Sequence, residues 1–360
     1  MTTPRIVLFG ATSYTGRLTA KALVALGAEP LLAGRDPARL AELAASLPVA
    51  LPTAVADATR PRSVAHLVEP GDVLVSTVGP FLRWGDAAVT AAIGAGAVYL
   101  DSTGEPPFVK RVFQRHGPEA AAAGATLIPA FGYDYVPGNL AAALALRKAG
   151  TDAVRVDVGY FLRGNMAKRA SAGTRASALS MILEPMYGFR DGRIVRESGR
   201  TRAFAFGAGR RHGIAMGASE HFALPRTHPR LREVNVYLGW LGGFTRAAGV
   251  FARFTPVLRA LPGSRKLTTL MSERAARSAN HEAPPVASQT IAEAYAQDGT
   301  LLATVRLNGG DPYELTAKVL AWGATTALVG GVGGIGALGP VEAFGLDALA
   351  DGCAAIGLTP

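Results

Sequence analysis

A short apolar strand that runs straight into a glycine-bounded loop and then a helix leaves few folds open to a chain. Residues Arg5-Ile6-Val7-Leu8-Phe9 lead into Gly10-Ala11-Thr12-Ser13-Tyr14-Thr15-Gly16. The spacing of Leu18, Ala22 and Leu26 predicts a helix over residues 14–27. The same strand–helix unit then recurs. Apolar runs at 30–35, 51–57, 72–78, 97–101 and 126–131 predict five more strands. Helices are expected after Asp36-Pro37 and Pro61, over 84–95 and over 106–123. Continuous apolar strands separated by helices are the mark of a parallel sheet covered on both faces. A doubly wound, Rossmann-type α/β domain is therefore expected over residues 1–138.

The pattern changes after Gly138. A helix over 139–148 leads into Val154-Arg155-Val156-Asp157-Val158-Gly159-Tyr160, which alternates and reads as an antiparallel strand. A helix is expected over 174–187. Further alternating runs lie at 201–207, 233–240 and 288–307, the last folded at Gln297-Asp298-Gly299. The reading is a second α+β domain, residues 139–329, built on a mixed or antiparallel sheet and closed by a helix over 312–329. Residues 330–360, a glycine-rich loop and a helix, are expected to pack back on the first domain. Residues 319–341 carry no charge and are long enough to span a bilayer, but seven of the 23 are glycine. A buried helix followed by a loop is the better reading.

The loop at 10–16 carries chemistry. In the dinucleotide fingerprint the first glycine makes the tight turn, the central one admits the pyrophosphate, and the last lets the helix approach the strand. Gly10 and Gly16 stand at that spacing, and Ser13 holds the centre, where its hydroxyl could donate to a phosphate oxygen. The helix N-terminus offers N–H groups to the anion. The second strand ends Gly34-Arg35, with Arg39 a turn later, where NAD sites place an acid. A guanidinium there suits a 2′-phosphate, so NADP(H) is the expected cofactor. Asp57 ends the third strand, either as an adenine contact or as a turn cap. Thr77, Val78, Gly79 and Pro80 end the fourth, either keeping side chains clear of the nicotinamide or forming a plain turn.

Charge is unevenly spread. Residues 151–280 hold 22 Lys and Arg against 8 Asp and Glu, whereas residues 281–360 hold 2 against 8. The basic middle is either compositional or a surface for an anionic partner: an acidic carrier protein, an anionic membrane or a phosphate-bearing thioester. Residues 245–277 mix Phe and Leu with Arg, as a peripheral membrane contact, a lid or an ordinary helix pair would. One cysteine, Cys353, excludes internal disulfides and multi-cysteine metal sites. The N-terminal residues show no signal-peptide pattern, so a cytoplasmic location, with or without membrane contact, is expected.

Four blocks carry a family resemblance: residues 10–16; Ala33-Gly34-Arg35; Ser76-Thr77-Val78-Gly79-Pro80-Phe81; and Asp101-Ser102-Thr103-Gly104-Glu105. Phe131-Gly132-Tyr133-Asp134-Tyr135-Val136-Pro137-Gly138 supports them. With these the chain resembles the saccharopine dehydrogenase-like oxidoreductases, and most closely the trans-acting enoyl reductase branch. Ser13 in place of glycine and Tyr135 in place of a smaller residue depart from the family pattern. The resemblance implies NADPH-dependent reduction of carrier-bound acyl chains in lipid biosynthesis, and a homodimer contact through the second domain.

Hydride chemistry belongs to the nicotinamide, and the protein must position it and supply a proton. Tyr133, Asp134 and Glu105 are the candidates, each equally readable as a loop brace. Lys318, alone in an apolar helix, points inward or snorkels to solvent. The six histidines, His66, His116, His212, His221, His228 and His281, show no metal-ligand spacing, so no metal is expected. Arg210-Arg211 beside His212 lacks the aromatic interleaving of a nucleic-acid module, and no nucleic-acid partner is expected. Three functions stay open: a reductase of an apolar enoyl thioester, a reductase of imines or amino-acid conjugates using Arg163, Lys168, Arg169 or Arg175, and a non-catalytic NADPH-binding protein.

Overall fold

The computed structural model describes residues 3–164, 184–206, 209–240, 245, 249, 250, 252 and 286–360. Lys168, Arg169, Arg175 and His281 lie outside the described residues, as does nearly all of 245–277 and most of the helix expected over 174–187. The chain divides into two compact units. The first is Met1–Gly104, Phe108–Val136 and Tyr313–Gly357; the second is Glu105–Pro107, Pro137–Pro312 and Leu358–Pro360.

The first unit is built on seven parallel strands. They are β1 (Ile6–Phe9), β2 (Leu31–Gly34), β3 (Thr53–Val55), β4 (Val73–Ser76), β5 (Val98–Asp101), β6 (Thr126–Ile128) and, late in the chain, β15 (Gly336–Ala337). Their order is β15-β6-β5-β4-β1-β2-β3. Every residue of β1, β2 and β4 is buried, as runs without polar alternation require. Between β1 and β4 the winding reverses, which opens a crevice at the carboxyl ends of the strands. Two strands are shorter than their apolar runs. β3 is an edge strand, half in solvent. β6 stops at Ile128 because Ala130 turns to a φ of 57°, held there by its N–H on Asp101 Oδ1 at 2.8 Å.

The helix Pro312–Leu328 forms as expected but belongs to the first unit, not to the second domain that the sequence suggested. Its apolar face explains the difference. Trp322 stacks with Phe131 (ring centroids 6.3 Å apart) and packs on Phe344 (4.9 Å). A Cβ on Gly323 would stand 2.3 Å from the Phe131 ring. Lys318 is exposed and so reaches solvent. The glycine loop after the helix delivers β15 to the sheet edge, where Gly336 pairs with Thr126. Among the described residues no helix is long and apolar enough to cross a membrane.

The second unit carries a mixed sheet of eight strands: β7 (Arg155–Arg163), β8 (Met186–Arg190), β9 (Arg193–Glu197), β10 (Thr201–Phe206), β11 (Gly209–Ala215), β12 (Glu233–Leu238), β13 (Ala287–Tyr295) and β14 (Leu301–Gly309). The main order is β10-β11-β12-β7-β13-β14, with β8 pairing β12 and β9. β7 is antiparallel to β13, as its alternation suggested, but parallel to β12. Of the described end of the helix expected over 174–187, Met186 and Tyr187 begin β8 and Glu184 and Pro185 precede it outside any helix. β8, β9 and β11 escaped the sequence reading because arginines interrupt their apolar pattern. The Asp191-Gly192 turn, with φ of 44° and 79°, was the available hairpin signal. On one face of β7, Tyr160 donates to Glu220 Oε1 at 2.6 Å and accepts from the Gly138 N–H at 2.9 Å. On the other, Phe161 joins Phe204, Tyr237 and Ile291 in a buried cluster.

Candidate functional site

At the switch point the chain approaches itself too closely for side chains. Gly10 adopts a φ of 87°, and a Cβ there would lie 2.8 Å from both Thr77 Oγ1 and Val78 Cγ2. A Cβ on Gly16 would lie 2.2 Å from the Gly10 carbonyl oxygen. Both glycines are thus required by backbone contact.

Ser13 has a structural task. It is the N-cap of the helix Tyr14–Ala25, and its Oγ accepts the Gly16 N–H at 2.9 Å. The same oxygen lies 3.0 Å from Thr77 Oγ1, which itself donates to the Gly10 carbonyl at 2.9 Å. Its hydroxyl thus braces the turn against Thr77 and the helix N-terminus. The N–H groups of Thr12 and Thr15 make no hydrogen bond to the described residues and remain for an anion. Tyr14 turns its ring edge-on to Tyr313, with centroids 5.1 Å apart.

Arg35 is exposed just beyond β2, and Arg39 folds back so that Nη2 donates to the Thr12 carbonyl at 3.2 Å. Gly34 is buried between Thr12 and Leu40 with room for ordinary contact. Asp57 behaves as a turn cap. Its Oδ1 accepts from the Thr59 N–H at 2.8 Å and the Thr59 hydroxyl at 2.9 Å. Those bonds, with lesser help from Arg35 and Arg60, hold its carboxyl below the usual range. Beyond β4, Gly79 lies against the Phe81 ring, and Pro80 precedes the short helix Phe81–Trp84.

The loops after β5 and β6 are tied together by Asp101, a bracing role the sequence did not reveal. Its buried Oδ1 accepts from Thr103 N–H at 2.9 Å and Ala130 N–H at 2.8 Å. Next along, Asp134 approaches Gly104 so closely that a Cβ on the glycine would lie 2.7 Å from Asp134 Oδ2. Asp134 Oδ1 is buried with no hydrogen-bond partner. Burial alone raises this carboxyl from 3.8 to about 7. Tyr133 is buried, and its N–H donates to Thr316 Oγ1 at 3.0 Å. Glu105, the third candidate, is wholly buried in the second unit. Tyr133 and Asp134 therefore share one loop of the first unit. Among the described residues no cluster of His, Cys, Asp or Glu could hold a metal ion.

Residues 6–128 match the family model described as the saccharopine dehydrogenase NADP binding domain. The chain is also similar to trans-acting enoyl reductases. That of Mycobacterium ulcerans (strain Agy99) is 35% identical over 179 residues, 48% of this chain and 43% of the relative. That of Mycobacterium leprae (strain TN) is 41% identical over 140 residues, 38% of this chain and 34% of the relative. The chain thus spans less than half the length of these curated relatives. Saccharopine dehydrogenase (L-Glu forming) from Saccharomyces cerevisiae superposes with a TM-score of 0.57 at 14% identity, covering 97% of this chain and 96% of that one, which shows a shared fold.

NADP(H) is the cofactor of such a domain, and the residues here fit it. Gly10 and Gly16 clear a cradle that Cβ atoms would fill, Thr12 and Thr15 offer unused N–H donors, and Arg35 is exposed just beyond β2, the strand end at which dinucleotide folds meet the ribose 2′ position.

Proposed function

We propose that this protein is an NADPH-dependent reductase of an apolar enoyl thioester, and that Asp134 supplies the proton. NADPH held at residues 10–16 would supply the hydride for the β-carbon of the C=C bond, and a proton from the protein would complete the α-carbon. The protein's own part is to bind the dinucleotide at residues 10–16 and to hold that proton ready. A carboxyl that keeps its proton up to about pH 7 at the carboxyl edge of the sheet can do so. That single observation carries the reading. The absence of a hydrogen-bond partner on Oδ1 leaves the group able to face a substrate, and Gly104 gives it clearance. The names of the relatives, trans-acting enoyl reductases, support an enoyl substrate.

The test follows NADPH absorbance with crotonyl-type thioesters across pH 5–9, with Asp134→Asn alongside. Turnover is expected to decline as pH rises through about 7, because the acid form is then lost. The variant should lose roughly 100-fold or more in kcat while NADPH affinity stays unchanged. Turnover of a keto acid with an amine, and none of the enoyl thioester, would favour the imine-reductase reading instead. An Asp134→Asn enzyme with wild-type kcat and pH profile would remove Asp134 from the chemistry.

A further inference from the structure

Charge on the mixed sheet of the second unit is sorted by position. At one end its acids and bases are matched: Arg202 pairs with Glu293 at 2.6 Å and also with Asp157, Arg200 pairs with Glu197 at 2.7 Å, and Arg155 with Asp157 at 3.5 Å. At the other end, past the Phe161–Phe204–Ile291 cluster, they are not. Arg163, Arg210, Arg211 and Arg306 surround an open cleft of about 370 Å³ whose remaining lining is Phe206, Gly209 and Gln289. No carboxylate lines it, and none of the four arginines forms an ion pair among the described residues.

The register explains the convergence. Phe161 stands opposite Gln289, Ile291 opposite Arg306, and Phe204 opposite Arg211. Strand alternation then turns Arg163, Gln289, Arg306 and Arg211 to the same face. Arg211 is also fixed in place, over the Phe206 ring at 5.0 Å and near the Leu162 carbonyl at 3.5 Å. The floor holds a second sign of a missing ligand. Gln289 is 8% exposed, its Nε2 donates to Asn308 Oδ1 at 2.9 Å, and its Oε1 is buried without a partner. Oxygen and nitrogen of an amide are isosteric, so turning this amide pair over presents a donor to the cleft. Three guanidinium forks on that face, with Arg210 beside them in the lining, and an amide donor, with no acid to neutralise them, match a multiply charged phosphate rather than a single carboxylate.

We infer that this cleft binds a phosphate ester or diphosphate, as carried by phosphorylated cofactors and by phosphopantetheine-type thioester carriers. Such a site would grip the phosphate end of a thioester substrate. In that use it rests on the reductase reading, whereas anion binding itself does not.

The test is calorimetric titration of the full chain with pyrophosphate, coenzyme A and pantetheine, the last carrying the same arm without phosphate. Pyrophosphate and coenzyme A are expected to bind, more weakly as salt rises, and pantetheine is not. Arg306→Gln and Arg211→Gln should each weaken both phosphates about tenfold. Neither should alter NADPH affinity. Arg306 is exposed and bonds nothing among the described residues, so its variant tests the site without disturbing the sheet. Arg35→Asp should do the converse, weakening NADPH and sparing pyrophosphate. Absence of NADPH binding by the wild-type protein, with pyrophosphate still bound, would undo the reductase reading and leave the cleft standing. Absence of pyrophosphate and coenzyme A binding at millimolar concentration, or wild-type affinity for both phosphates in both cleft variants, would overturn the inference. So would binding that follows pantetheine, or capture of an acidic carrier protein whether or not it bears its phosphorylated arm.

Discussion

Replacing Gly16 by alanine tests the loop on its geometry. The new Cβ would stand 2.2 Å from the Gly10 carbonyl oxygen and 2.9 Å from the Ala11 backbone. Ordinary contact is about 3.5 Å, so the strand and the helix must part by roughly 1 Å. No flexible side chain can yield, because both neighbours are backbone. That backbone is pinned by the N–H groups of Gly10 and Ala11, which bond Ala33 O at 2.9 and 3.1 Å. Overpacking of this kind costs about 1–3 kcal/mol, and a backbone clash belongs at the upper end. At about 2–4 °C per kcal/mol for a unit of this size, Tm should fall by roughly 6–12 °C. The displaced helix N-terminus should also weaken NADPH by about 100-fold, since 1.4 kcal/mol is tenfold in affinity. The assays are thermal melting and nicotinamide fluorescence titration. Gly94→Ala is the control: in the helix Asp86–Ala95 an added Cβ meets nothing within 4 Å. It should be neutral or stabilising by up to about 1 kcal/mol. A Gly16→Ala protein with wild-type Tm and NADPH affinity would refute the close approach on which the site rests.

Other perturbations report on separate parts of the molecule. Tyr160→Phe removes both the 2.6 Å bond to buried Glu220 and the acceptor for Gly138 N–H, so unfolding in urea should show a loss of about 3 kcal/mol. Burial pushes the Cys353 thiol up to about 12, so the native protein should resist a thiol reagent at pH 8 until denaturant is added. Two buried groups titrate with opposite sign. Asp134 is raised from 3.8 to about 7, so its contribution is full below 3.8 and is lost as pH rises to 7; Asp134→Asn should flatten stability over that window. Desolvation lowers His221 from 6.5 to about 3, so the folded state loses stability as pH falls from 6.5 towards 3, and His221→Gln should flatten that limb in denaturation profiles.

The sequence by itself determined the Rossmann-type sheet, its cofactor loop and the hairpin at Gln297-Asp298-Gly299. These are local: an apolar run, a turn residue or a glycine spacing specifies them without reference to distant residues. It also named Asp134, but only as one of three candidate proton donors. What tertiary structure decided was every property that depends on who stands nearby. Gly104, thirty residues away, gives Asp134 its position, and burial gives it its pKa. Thr77, sixty-four residues away, gives the Ser13 hydroxyl a bracing partner. Phe131 and Trp322 draw the helix Pro312–Leu328 into the first unit across almost two hundred residues. Arg163, Arg211 and Arg306 look like scattered basic residues until strand register turns them to one face. Periodicity records which side of an element is buried; it does not record against what, and both proton affinity and charge convergence are set by the neighbours.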